Sequence, residues 1–325
     1  MRYRAGLNAV FGIAIATVAA ITFAAGRIKK TTVNGIGWYD NLADARAEAK
    51  RTGKPILFLS MFGRLDEEMP CANARTLRAT LFKDPEFKKL VTSDVIPAWE
   101  MVRAVPHVEI DFGDGKKIKR TVRGNACMYL CNSDGKVVDA YPGVYTAQDF
   151  MPRIHESIAQ LANASADAVI AWHTSQPITF ARRTPSTMSK MGSESSTLNV
   201  IGARGIAGVV STERSSDPKR QRFLQAAAGV IDMSLTPMTP DEIAVAATGQ
   251  PIADRDPATM GNLILQRDSR QNVTLMRSVI HMWLASEKEL PTPAQARDTI
   301  LETILKIPYK DPYFGLRDIA IPGTP

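Results

Sequence analysis

Gly53-Lys54-Pro55 leads into Ile56-Leu57-Phe58-Leu59, a continuous apolar run with no alternation. A strand of that kind is buried on both faces, so it belongs inside a sheet that carries a packed layer on each side. The flanking residues supply candidates for those layers. Asp40 is placed to cap a helix through Leu42, Ala45 and Ala49 that ends near Gly53. A second helix is expected from Pro70 to Phe82, with proline at its first position, and Asp84-Pro85 starts a third that carries Phe87 and Leu90. Val95 to Met101 reads as a strand, and residues 107–122 as a polar hairpin turning at Gly113-Asp114-Gly115. Cys127 to Cys131 is a further strand, which Asn132-Ser133-Asp134-Gly135 turns into an antiparallel partner over 136–140. A helix from Thr146 to Leu161, with Phe150, Ile154, Ile158 and Leu161 on one side, closes the unit. The pattern β-α-β-α-β-β-α predicts an α/β three-layer sandwich over residues 36–163.

The two ends of the chain differ from this unit. Between Arg4 and Arg27 lie 22 uncharged residues, and as a helix they would span roughly 33 Å, close to a hydrocarbon core. Residues 1–30 are therefore expected to be an N-terminal hydrophobic helix that anchors the chain through residues 5–26, or a signal peptide cleaved after Ala24-Ala25-Gly26. The first reading puts the protein at the cell membrane with its soluble part outside the cytoplasm, in the periplasm; the second secretes it. This segment also accounts for the charge. The chain has 40 basic and 33 acidic residues, a formal +7, of which Arg2, Arg4, Arg27, Lys29 and Lys30 supply +5 with no acid among them. The other 295 residues carry only +2, so nucleic-acid binding is not indicated.

Residues 176–216 are rich in Ser, Thr, Gly and Pro and read as a linker. Residues 217–325 read as a separate all-α domain. Its helix starts recur as a capping residue before proline, at Asp217-Pro218, Thr239-Pro240, Asp256-Pro257 and Thr292-Pro293, with Glu242 and Gln295 placed for capping boxes.

Four segments between Trp38 and Phe150 resemble the thioredoxin-like superfamily, in particular exported bacterial thioredoxin-like domains. Trp38, the Ala-rich helix and Gly53-Lys54-Pro55-Ile56-Leu57 resemble its entry into the central strand. Leu81-Phe82-Lys83-Asp84-Pro85-Glu86-Phe87 resembles the junction after its active-site helix. Gly124-Asn125-Ala126-Cys127-Met128-Tyr129-Leu130 is similar to its approach to the next strand, and Asn132-Ser133-Asp134-Gly135-Lys136-Val137-Val138 to its hairpin.

The resemblance implies a thioredoxin-like fold over residues 36–161 with a degenerate redox site. The family attacks disulfides with the first thiol of a CxxC motif at a helix N-terminus and resolves them with the second. Counting back from Phe82 puts that motif on Cys71-Ala72-Asn73-Ala74, so Cys71 takes the attacking position and Ala74 the resolving one. Counting forward from Lys54-Pro55 misses Cys71 by six residues, which implies an insertion within Met61 to Met69. Ala126 stands where the family has a cis-proline, and a trans bond is expected there. The loop Asn125, Ala126 and Cys127 would face the Cys71 helix start as a substrate or partner surface. Asp66-Glu67-Glu68, if close, would oppose a thiolate at Cys71.

These features imply a non-redox, protein-binding or scaffold role. The alternative is a monothiol oxidoreductase using Cys71, resolved by an external thiol or by Cys127. Cys131 reads as core. The four histidines, His107, His155, His173 and His281, are scattered singly with no metal-ligand spacing, so neither a metal nor a cofactor is expected. Met233, Met238, Met260, Met276 and Met282 read as core filling.

Overall fold

The computed structural model describes residues 29–178, 214–233 and 265–316. The hydrophobic stretch 5–26, most of the linker, and the helix starts at Thr239 and Asp256 lie outside the described residues. Among the described residues no helix is long and apolar enough to cross a membrane.

A six-stranded mixed sheet organises the molecule, in the order β1-β2-β4-β3-β7-β8. β1 (Lys30–Val33) and β2 (Ile36–Tyr39) form a hairpin through Asn34-Gly35, both at positive φ, the pair that a tight two-residue turn demands. β2 runs parallel to β4 (Ile96–Met101), and β4 parallel to β3 (Ile56–Met61). β7 (Ala126–Cys131) pairs antiparallel with β3, and β8 (Val137–Pro142) antiparallel with β7. Every residue of β3 is buried, as its unbroken apolar run requires. β5 (His107–Asp111) and β6 (Lys117–Thr121) form a separate two-stranded sheet.

Helices cover both faces, and strand alternation divides the core between them. Leu57, Leu59 and Met61 of β3 share one cluster with Leu77 of α2 (Ala72–Ala79), Phe87 and Leu90 of α3 (Pro85–Ser93), and Phe150 and Ile154 of α4 (Ala147–Leu161). Val169 of α5 (Ala166–Ser175) joins the same cluster. Ile56 and Phe58 face the other way, toward Ala45 and Ala49 of α1 (Leu42–Thr52). That cluster also takes Phe223 of α6 (Pro218–Met233), Trp283 of α7 (Arg277–Ala285), Ala296 of α8 (Pro293–Asp298) and Ile300 of the π-helical turn Thr299–Ile304.

The C-terminal helices expected to form a domain of their own thus share one core with the sheet. Their apolar residues bury in the cluster that holds Ile56 and Phe58 of β3, Tyr129 of β7 and Val137 of β8, on the face that α1 covers only in part. Local expectations shift by a few residues. Asn41, not Asp40, caps α1 by accepting from Asp44 N, while Asp40 accepts from Trp99 Nε1 at 2.9 Å. The helix expected over 70–82 runs only from Ala72 to Ala79, followed by a 3-10 turn at Leu81–Lys83. Asp84 caps α3 as expected, and Thr292 and Gln295 make the expected capping box. α5 is an additional helix where none was expected.

One buried ion pair joins the late helices to the sheet. Arg277 of α7 grips Asp139 of β8 with both guanidinium arms, at 2.7 and 2.9 Å, and donates to Ala140 O at 3.0 Å. Asp139 is fully buried and also accepts from Ser157 Oγ at 2.6 Å and Tyr141 OH at 3.0 Å. Removing one partner strands the other charge in the core. Asp139→Asn or Arg277→Ala is therefore expected to lower the unfolding free energy by about 3–5 kcal/mol. Urea titration followed by tryptophan fluorescence checks this, and a change below 1 kcal/mol would show the pair to be dispensable.

Candidate functional site

The corner implied by the resemblance lies where β3 ends and α2 begins. Residues 62–71 form the connecting loop. Arg78 of α2 reaches back and donates to Leu65 O at 2.9 Å and Glu67 O at 2.6 Å, fixing the loop on its own helix. Pro70 lies just outside that helix and Cys71 is its N-cap residue. Cys71 N donates to Phe62 O at 3.1 Å, and its Sγ lies 3.3 Å from Asn125 O. Asn73 Nδ2 donates to Asn125 Oδ1 at 2.6 Å, and the same oxygen accepts from Ala126 N at 2.7 Å. Cys71, Asn125 and Ala126 are therefore brought together, and the Asn125–Ala126 bond is trans like every described peptide bond.

The corner is closed. Cys71 is fully buried, and Ala74 at the resolving position is buried beside it. Gly124, at φ +86°, passes so close that a Cβ there would sit 3.0 Å from Cys71 Cβ and 3.2 Å from Phe62 Cβ. Burial pushes the Cys71 thiol up, away from the thiolate form. Burial leads that shift rather than the acidic run, where Asp66 is held by Arg64 at 2.9 Å.

Cys127 does not belong to this corner. Successive residues of a strand face opposite ways, so Ala126 points into the cluster that holds Cys71 while Cys127 joins the cluster on the far face of the sheet. All three cysteines are free thiols. With the sheet between them, Cys127 has no path to resolve a disulfide at Cys71. Cys131 lies on the far face too, as core, and burial pushes both far-face thiols up strongly.

A second cluster of polar groups was invisible in the sequence. His173 of α5 and His281 of α7, 108 residues apart, meet with Nδ1 atoms 2.8 Å from each other. The expectation of scattered single histidines is corrected here: folding brings these two together, and only His107 and His155 stand apart. His173 Nε2 lies 2.8 Å from Val138 O, a group that only accepts, so Nε2 carries the proton. His173 Nδ1 is then an acceptor and His281 Nδ1 its donor. The Nε2 lone pair of His281 is left without a partner among the described residues. Burial holds both rings below the usual histidine range; His281, which also feels the Arg277 charge, is pushed down to about 3.

The pair forms an uncharged hydrogen-bonded chain that ties α5 and α7 to β8, behind the Arg277–Asp139 bridge. Beside it opens a cleft of about 470 Å³ lined by His173, Thr174, Lys219, Arg222, Met282 and Ala285. Among the described residues no three His, Cys, Asp or Glu side chains converge as metal ligands do.

No family model, no curated protein and no solved structure matches this chain.

Both rings take up a proton more readily in the unfolded chain than in the fold. The stability contributed by their neutral forms is therefore complete above pH 6.5 and drains away as pH falls toward 3. The unfolding free energy is expected to drop below pH 6.5, by about 1.4 kcal/mol per pH unit for each proton taken up. His281→Gln should flatten that slope. Urea midpoints at pH 7.5, 6 and 5 test it, and a flat profile for the unsubstituted protein would refute it.

Proposed function

We propose that this chain is a redox-inert, thioredoxin-like scaffold, exported and held at a membrane through residues 5–26, that works by binding another protein. The element order supports the kinship: a parallel set β2-β4-β3, an antiparallel β7–β8 hairpin and closing helix α4 follow in the succession that the four resembling segments imply. A helix start carrying Cys71 sits against the Asn125–Ala126 loop, as the resemblance requires.

One observation carries the non-redox reading: the sole sulfur at that helix start is fully buried, with alanine one turn later. A thiol-disulfide exchanger needs an accessible thiolate. Here the thiol is desolvated, the second thiol is absent and Cys127 faces away. The monothiol alternative would need the whole corner to open, and no feature of the geometry favours that.

Native protein is expected to show no labelling of Cys71 by iodoacetamide at pH 8 over an hour, and complete labelling in urea. It should not accelerate insulin reduction by dithiothreitol. Labelling of Cys71 in the native state at the rate of a free cysteine, or insulin reduction lost in Cys71→Ala, would overturn the reading. The tether has its own test. Full-length protein should remain with membranes through a carbonate wash and deletion of residues 1–30 should release it, whereas a new N-terminus near Arg27 in the natural protein would mean a cleaved signal.

A further inference from the structure

The β5–β6 hairpin stands apart from both core clusters, and a two-stranded sheet alone in water is marginally stable. Its faces are unequal. Glu109, Asp111, Lys117 and Lys119 share one face and pair across the strands at 2.9 to 3.5 Å, a satisfied polar surface. Val108, Ile110, Ile118 and Arg120 share the other. Val108 is 42% exposed, Ile110 43%, and Phe112 at the turn 57%.

The hydrogen-bond pattern fixes which backbone groups are open. Phe112 N donates to Lys116 O and Val122 N to Pro106 O, so the bonded pairs in this register are Val108–Arg120 and Ile110–Ile118. The N–H and C=O groups of Lys117, Lys119 and Thr121 therefore point away from β5, along the outer edge of β6. Of these, Lys119 O accepts only from the neighbouring Arg120 guanidinium, at 3.0 Å.

We infer that this outer edge of β6 is a docking strand for an extended segment of a partner protein in which acidic and branched aliphatic residues alternate. The inner edge of β6 already holds such a strand, His107-Val108-Glu109-Ile110-Asp111, with acids opposite Lys117 and Lys119 and aliphatic residues opposite Ile118 and Arg120. The outer edge presents the same side chains with the same alternation, so the same chemistry fits it. Lys117, which holds Glu109 and Asp111, keeps one N–H for a further carboxylate and Lys119, which holds Glu109, keeps two, while Arg120 has no carboxylate partner among the described residues. The added aliphatic residues would extend the exposed apolar face into a three-stranded surface. A second copy of β6 is disfavoured there, since antiparallel pairing about Lys119 sets lysine against lysine.

This inference rests on the scaffold reading and supplies the class of partner. The test uses the full-length protein in detergent micelles and a fluorescent hexapeptide EVEIEV, with KVKIKV as control. EVEIEV should raise anisotropy saturably and KVKIKV should not. Amide exchange at Lys117, Lys119 and Thr121 should slow with EVEIEV bound, while that of His107 and Glu109 should not. Lys119→Pro removes an outward N–H that β5 does not use together with one ammonium that meets the partner's acids, so the hairpin survives while affinity falls at least about tenfold, and Lys119→Gln, which keeps the N–H, falls less. Equal binding of both peptides, no binding at millimolar peptide, or protection confined to the β5 edge would each overturn the docking edge. If EVEIEV fails while Cys71 remains unreactive, the edge falls and the redox-inert scaffold stands.

Discussion

The seating of the late helices on this sheet depends on one bidentate ion pair in the core. Placing Arg277 and Asp139 inside carries a large desolvation cost, offset only by good geometry and further hydrogen bonds. Here the carboxylate accepts from Arg277, Ser157 Oγ, Tyr141 OH and Ala140 N, while the guanidinium also donates to Ala140 O and lies 4.7 Å over the Tyr141 ring. Planar two-point recognition has one good geometry, so it fixes the register and rotation of α7 against β8 together. Apolar contacts alone would tolerate a slide. Residues just before α7 add to the same seam: Asn272 donates to Val144 O at 2.8 Å, and Ser269 sits between Thr146 and Asp149. A Cβ at Gly143 would meet Asn272 at 2.6 Å, which is why the chain is bare there.

The same late region also secures the far end of the sheet. Arg103 donates to the carbonyls of Tyr309 and Asp311 at 2.8 and 2.6 Å, with its guanidinium 4.4 Å over the Phe314 ring. Phe314 in turn packs edge-on against Phe62, the residue that covers Cys71. Glu100, bound by Ser60, receives Arg297 at 3.1 Å. Burial of the Cys71 thiol is thus a property of the whole chain, drawing on packing contributed by residues more than 200 positions away.

Short-range physics was legible from the start. The unbroken run at β3, the Asp84-Pro85 and Thr292-Pro293 helix starts and the turn at Asn132 to Gly135 each depend on a few neighbouring residues, and each stands where expected. The Asn34-Gly35 hairpin carried an equally local signal that was passed over. The side on which Cys127 points was also readable, since it follows Ala126 in a strand and must face the opposite way. The histidine pair and the Arg277–Asp139 bridge were not. They depend on where residues more than 100 positions apart meet, and an isolated histidine on a helix looks the same whether it ends in water or against another ring. Treating the late helices as a separate domain failed for a related reason: an amphipathic helix announces that it has an apolar face but not which surface receives it.

That shared surface has a consequence for biogenesis. As the polypeptide emerges from the ribosome, all six strands of the main sheet are complete by Pro142, yet Phe223, Trp283 and Ile300 are still to be made. Apart from the part that α1 covers, one greasy side of the nascent sheet must therefore wait bare through the synthesis of some 160 further residues. A protein assembled in this order is best kept unfolded until it is whole.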